Sequence, residues 1–142
     1  MKPAFWDSSS LVLLCVQQQA SAMVRRLARQ YEIVGWWSTP VEVKSAFARL
    51  VRSGDLSPAG LAQAEASLSR LLAGWQEVRP DDGVRSEAES LIRRFPLSGA
   101  DALQLAAAIT WAGGSPQGRA FIGGDPRLLD TAQQLGFQAI EA

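Results

Sequence analysis

The chain has 142 residues, 47% of them hydrophobic and 20% charged, which is enough apolar content for one folded domain and excludes a disordered segment. No apolar run approaches the roughly 18 residues of a membrane span, and an acid at position 7 interrupts any secretory leader behind Lys2, so a cytoplasmic location is the default expectation. Formal net charge is zero, but residues 1–53 carry seven Lys/Arg against three acids, and residues 54–142 carry seven against eleven.

The absences are more decisive. There is no histidine, which excludes His-based acid–base chemistry, Ser-His-Asp and Cys-His nucleophile systems and the usual His-containing zinc sites. Cys15 is the single cysteine, so there is no internal disulfide and no CxxC knuckle; within Leu11–Val16 it reads as a small core residue. For a hydrolase, carboxylates and a hard metal ion are the main tools left.

Ala4-Phe5-Trp6 predicts a central strand that runs into Asp7 and three serines. A short helix follows to Val16, then a polar break at Gln17-Gln18-Gln19. A second helix is expected over 20–30, with Met23, Leu27 and Tyr31 as its apolar line. Ile33 to Trp37 predicts a buried strand. Thr39 as N-cap and Pro40 at the first helical position open a helix to about Arg52, with Val43, Phe47 and Leu50 on one stripe. Ser57-Pro58 opens the next helix, ended by Gly74; together these two form a helical hairpin after the second strand. Trp75 to Val78 predicts a short strand, Pro80-Asp81-Asp82 the cap of a helix to about Phe95, and Ser98 the cap of another to about Ala112. Ala120 to Ile122 is a strand, Asp125-Pro126 starts the last helix, and Phe137 to Ile140 is the last strand. This alternation predicts an α/β fold, a three-layer α/β/α sandwich around a parallel sheet.

Four acids stand at helix starts. Asp7, Glu42 and Asp125 each follow a strand, and Asp101 lies in the first turn after Ser98. Each has a structural reading. Thr39-x-x-Glu42 and Ser98-x-x-Asp101 fit the capping-box spacing, Asp7 and Asp125 fit N-caps, and acids suit the positive end of a helix dipole. Collectively they have another reading. The carboxyl ends of parallel strands share one edge, and Asp7, Glu42 and Asp125 would meet there. Asp101 has no clear strand before it. Gathered carboxylates repel unless a cation sits among them, and oxygen ligands suit Mg²⁺ or Mn²⁺.

Asp7-Ser8-Ser9-Ser10-Leu11, Pro40-Val41-Glu42, the run from Leu97 to Ala108 containing Asp101-Ala102-Leu103-Gln104-Leu105-Ala106, and Phe121 to Leu129 containing Gly124-Asp125 occur in that order. In this combination, over essentially its whole length, the chain resembles PIN domains and is similar to toxin ribonucleases of the VapC type. The resemblance implies Asp7, Glu42, Asp101 and Asp125 as acidic site residues and metal ligands, with Ser9 supporting the cluster. It also implies an antitoxin partner and a homodimer. There are two departures from the pattern. Gln104 stands where many relatives have His. Gly123 stands where relatives often have Thr or Ser, removing a hydroxyl that would orient Asp125 or a metal-bound water.

The expected reaction is hydrolysis of RNA phosphodiester bonds with Mg²⁺ or Mn²⁺. Arg25, Arg26 and Arg29, or Lys44, Arg49 and Arg52, are candidates to guide the RNA backbone, against a plain reading as solvated helix faces. The leucine-rich face of the hairpin is a candidate partner surface or plain core. A PIN-like module that binds RNA or protein without cutting is the alternative. An Asp-based phosphatase is a third reading, weakened by Ser9 where such enzymes place a second Asp.

Overall fold

Alternation of short apolar runs with capped helices gives five strands and seven helices in the computed structural model, which describes residues 1–142. In chain order they are β1 (Lys2–Trp6), α1 (Ser8–Cys15), α2 (Ala22–Gln30), β2 (Tyr31–Trp36), α3 (Thr39–Arg52), α4 (Pro58–Gly74) and β3 (Gln76–Val78). Then come α5 (Asp82–Arg94), α6 (Gly99–Trp111), β4 (Ala120–Gly123), α7 (Pro126–Gln134) and β5 (Gln138–Glu141). The sheet is entirely parallel, in the order β3-β2-β1-β4-β5. The chain builds outward from β1 first through β2 to β3, then on the other side through β4 to β5. The strand order therefore reverses between β1 and β4, the place where open α/β sheets form their crevice.

Both faces of the sheet are covered, so its central strands are apolar at successive positions. Phe5, Val34, Trp36 and Phe121 pack beneath α5, α6 and α7 with Val84, Leu91, Leu105 and Leu128. Ala4, Trp6, Ala120 and Ile122 pack on the other face with Leu11, Val24, Phe47 and Leu68 from α1 to α4. This is the expected three-layer sandwich. The Phe5 and Phe121 rings stack with centroids 5.5 Å apart across the β1–β4 pair. Ala102, Ala106, Ala107 and Ala108 are fully buried on α6, small side chains that let this helix lie close to its neighbours. Gly35 of β2 serves a close approach: a Cβ there would fall 2.0 Å from the Trp75 ring.

Helix starts follow the side-chain logic expected of them. Asp7, Ser21, Ser57, Asp81 and Ser98 each accept the backbone N–H three residues on. Three local expectations are corrected. The cap of α3 is Ser38, not Thr39, and it makes no side-chain cap bond; Thr39 is instead drawn fully inside. The buried residues of α2 are Val24 and Leu27, not a Met23-Leu27-Tyr31 line. The helix ends at Gln30, Tyr31 already belongs to β2, and Met23 is 47% exposed. Trp37 lies beyond β2 and is 49% exposed, because the strand ends at Trp36.

Candidate functional site

Asp7 closes β1, where its N–H donates to the Ile122 carbonyl of β4 at 3.0 Å. Its side chain is almost wholly buried and takes three bonds: Ser10 N–H to Oδ1 at 2.9 Å, and the Ser9 hydroxyl to each carboxyl oxygen at 2.8 Å. Capping and site building are therefore the same act here. Burial pushes the Asp7 carboxyl up from 3.8 to about 6. The bonds from Ser10 and Ser9 offset part of the shift, and the nearby charge of Asp101 adds to it.

Ser9 stands between Asp7 and the end of β4. Its oxygen also accepts the Gly124 N–H at 2.9 Å, so one hydroxyl ties the Asp7 carboxylate to the chain leaving β4. Ser10 does more than start a helix, since its hydroxyl reaches the carbonyls of Asp7 at 2.8 Å and Ile122 at 3.2 Å. Position 123 stands against Asp7: a Cβ there would lie 3.2 Å from Asp7 Oδ2 and 3.2 Å from Leu129, and glycine leaves the Asp7 carboxylate room.

Glu42 projects from the first turn of α3. No Thr39 capping box forms; instead Ser38 Oγ donates to Glu42 Oε2 at 3.0 Å, and Gln104 Nε2 donates to the same oxygen at 3.1 Å. Burial raises the Glu42 carboxyl, bonding from Ser38 and Gln104 lowers it, and the Asp101 charge raises it further. The Gln104 amide also donates to Thr39 Oγ1 at 2.9 Å, while its own Oε1 is buried without a partner. Leaving a buried acceptor unmatched costs about 1–3 kcal/mol.

Asp101 reaches the same edge without a preceding strand. Helix α6 packs on β2 and β3 and begins at their carboxyl ends, with Ser98 accepting the Asp101 N–H at 3.1 Å. Its carboxyl is raised mainly by burial and also by the charge of Asp125, while Ser98 and Arg127 oppose the shift. Asp125 caps α7, its Oδ1 accepting Arg127 N–H at 3.0 Å. The like-charge influences connect all four acids. Asp125 acts on Asp101, and Asp101 acts on both Asp7 and Glu42. Asp7 is the buried floor of the group and Asp101 its electrostatic middle.

An all-oxygen donor set among mutually repelling carboxylates matches what a hard divalent cation requires, and the single cysteine, Cys15 at the end of α1, is buried in the core. As the side chains stand, no three of the Asp, Glu or Cys groups are gathered tightly enough to hold an ion. Closing the site would take side-chain movement, for which Asp125, half-buried at the start of α7, would give up its cap bond from Arg127 N–H.

Two clefts flank the acids. One, of about 850 Å³, runs between the α5–α6 connection and α7 and includes Arg94, Phe95, Asp101, Asp125 and Arg127. The other, of about 440 Å³, lies between α1 and α3 and includes Ser8, Ser9, Glu42 and Arg49. Of the six cations singled out in the sequence, Arg49 alone lines either cleft. Arg25 lines a different cleft, with Cys15 and Gln17 at the far end of α1. Arg26 and Arg29 share its helix, which runs directly into Tyr31, paired with Lys2 at the amino edge of the sheet. Lys44 and Arg52 line neither flanking cleft. Arg94 and Arg127, not singled out in the sequence, line the larger cleft; the available signal was Arg127 two residues beyond an acid at a helix start.

No family model matches the chain, and no curated protein matches it. Solved structures do share its fold. A chain of a toxin–antitoxin complex from Klebsiella pneumoniae superposes with a TM-score of 0.60 at 14% identity, over 86% of each chain. PAE2754 from Pyrobaculum aerophilum superposes with a TM-score of 0.66 at 17% identity, over 99% of this chain and 89% of that one. Identities this low establish a common fold, which spans nearly the whole of each molecule.

Proposed function

We propose that this protein is a metal-dependent endoribonuclease of the PIN, VapC-like kind and the toxin of a toxin–antitoxin pair. One observation carries the reading. Four carboxylates from four separate stretches come to the carboxyl edge of the sheet, beside the reversal in strand order, and bear on one another through Asp101. The fold shared with a chain of a toxin–antitoxin complex supports the toxin role and with it an antitoxin partner; a homodimer belongs to the same proposal.

Asp7, Glu42, Asp101 and Asp125 would hold one or two Mg²⁺ or Mn²⁺ ions. When bound, such an ion supplies Lewis acidity toward water and the phosphoryl oxygens. Ser9 fixes the direction of Asp7. Arg49 on one side and Arg94 and Arg127 on the other would take backbone phosphates of the strand lying across the acids. Four carboxylates alone repel a polyanion, so RNA binding at the centre depends on the cation.

The test is cleavage of RNA in Mg²⁺ or Mn²⁺, abolished by EDTA and by Asp101→Asn. Cleavage that persists in EDTA sinks the metal reading. Growth arrest on expression, relieved by the product of the gene directly upstream and absent in Asp7→Asn, tests the toxin role. A second reading, a binder that cuts nothing, draws on the open spacing of the acids. RNA retained without product across several metals would establish it.

A further inference from the structure

We propose that Gln104 is a positioning residue for Glu42, its amide fixing which carboxylate oxygen is left for a divalent cation; this rests on the metal-site reading above. Gln104 lies one turn beyond Asp101 on α6, on the same helix face, and is 1% exposed. Its Nε2 reaches Glu42 Oε2 at 3.1 Å and Thr39 Oγ1 at 2.9 Å. One amide thus joins the helix carrying Asp101 to the first turn of the helix carrying Glu42. The Ser38 hydroxyl falls on the same Oε2 at 3.0 Å, so two donors hold one oxygen and Oε1 takes neither of these bonds.

The chemistry of the donor is specific. An arginine or lysine in place of Gln104 would pair with Glu42 and cancel its charge. A neutral amide directs the carboxylate and leaves its charge for an incoming cation. The other end of the amide argues the same way. Oε1 of Gln104 is buried without a partner, so an apolar side chain would suit the core better if packing were the sole requirement. The donor end is what the position retains. Partners that orient a metal ligand in this way change metal affinity by about 10–100-fold when removed.

The experiment is calorimetric titration of Mn²⁺ into the full chain, wild type and Gln104→Met, with urea unfolding of both in EDTA. Met preserves length and apolar fit and removes the donor. The expected result is about a 10–100-fold rise in Mn²⁺ Kd, with little change in the urea midpoint, because the lost bonds are offset by the removal of the unpartnered acceptor. A purely structural Gln104 gives the reverse, a lowered midpoint with Mn²⁺ affinity intact, and overturns the assignment. If Gln104→Met does not fold, Gln104→Asn withdraws the same donor by one methylene and must weaken Mn²⁺ binding, or the assignment falls. Wild-type protein that takes up no Mn²⁺ overturns the metal-site reading itself. Normal wild-type uptake with unchanged variants overturns this inference alone.

Discussion

Asp7→Asn separates the cost of the site from its function. Asp7 is 2% exposed, and burial is the largest influence on its carboxyl, raised from 3.8 to about 6. For an acid whose folded value is raised, the folded state holds the proton more tightly than the unfolded chain. Below pH 3.8 both states are protonated and there is no penalty. Stability then falls as pH rises from 3.8 to about 6 and stays low above that. At 1.36 kcal/mol per unit, the full penalty is about 3 kcal/mol. Asparagine avoids it and keeps the geometry. Its oxygen can accept the Ser10 N–H, its NH₂ can donate to Ser9 Oγ, and Ser9 can still accept from Gly124. It is also as good an N-cap.

In EDTA at pH 8, Asp7→Asn is therefore expected to be more stable than wild type by about 1–3 kcal/mol, or about 3–10 °C in Tm. Near pH 3.5 the two should coincide. Excess Mn²⁺ should then raise the wild-type Tm at pH 8 and leave the variant almost unmoved, since a ligand that binds the folded state at free concentration L stabilises it by RT ln(1 + L/Kd). Differential scanning calorimetry at the two pH values reads all of this. A variant no more stable than wild type at pH 8, or a gap of equal size at pH 3.5, would refute the claim that a buried, unneutralised charge sits at position 7.

Ser9→Ala removes the donor to both Asp7 oxygens and the acceptor of Gly124 N–H; it should lower stability by about 1–2 kcal/mol in urea unfolding and reduce cleavage. Gly123→Ala should cost about 1–3 kcal/mol in the same assay, because its Cβ would press on Asp7 Oδ2 and Leu129, and Mn²⁺ binding should weaken with it. Arg127→Ala should raise KM for RNA and reduce the salt slope of binding by about one, with kcat little changed, whereas Arg29→Ala should alter neither. Gly35→Ala, whose Cβ would overlap the Trp75 ring, should destabilise by about 3 kcal/mol without affecting Mn²⁺ affinity per folded molecule.

What was legible in the sequence was local. Apolar runs followed by Asp7-Ser8, Thr39-Pro40 and Asp125-Pro126 mark strand ends and helix starts, so three of the four acids, Asp7, Glu42 and Asp125, could be set at the sheet edge. Asp101 needed the motif, because its place comes from α6 packing on β2 and β3 rather than from a strand before it. Contacts between distant positions left no local mark. Gln104 meets Glu42 across 62 residues and Ser9 meets Gly124 across 115. The cap of α3 misled for a related reason. Thr39 has the right residue type for a cap, but the Gln104 amide holds it inside, so Ser38 takes the boundary position. The α2 stripe failed because β2 begins without a connecting turn, which turns Tyr31 from the last helical position into the first of a strand.

The placement of cations bears on what the acids are for. The protein has 14 Lys and Arg, yet its ion pairs are Arg79 with Glu77 and Arg85 with Asp82, both away from the site. Asp7, Glu42, Asp101 and Asp125 form none. Arg127 is near enough to lower Asp101 but makes no ion pair with it, and Arg49 and Arg94 stand back in the clefts. A fold that buried these carboxylates for structure alone would be expected to pair them, since an unpaired buried charge is strongly unfavourable. Here Asp7, Glu42 and Asp101 are all shifted in the costly direction, and their neighbours orient them with hydroxyls, backbone N–H groups and one amide, donors that leave the charge in place. That arrangement is what the proposed cation site requires, and it leaves the arginines of the clefts for the proposed phosphate contacts.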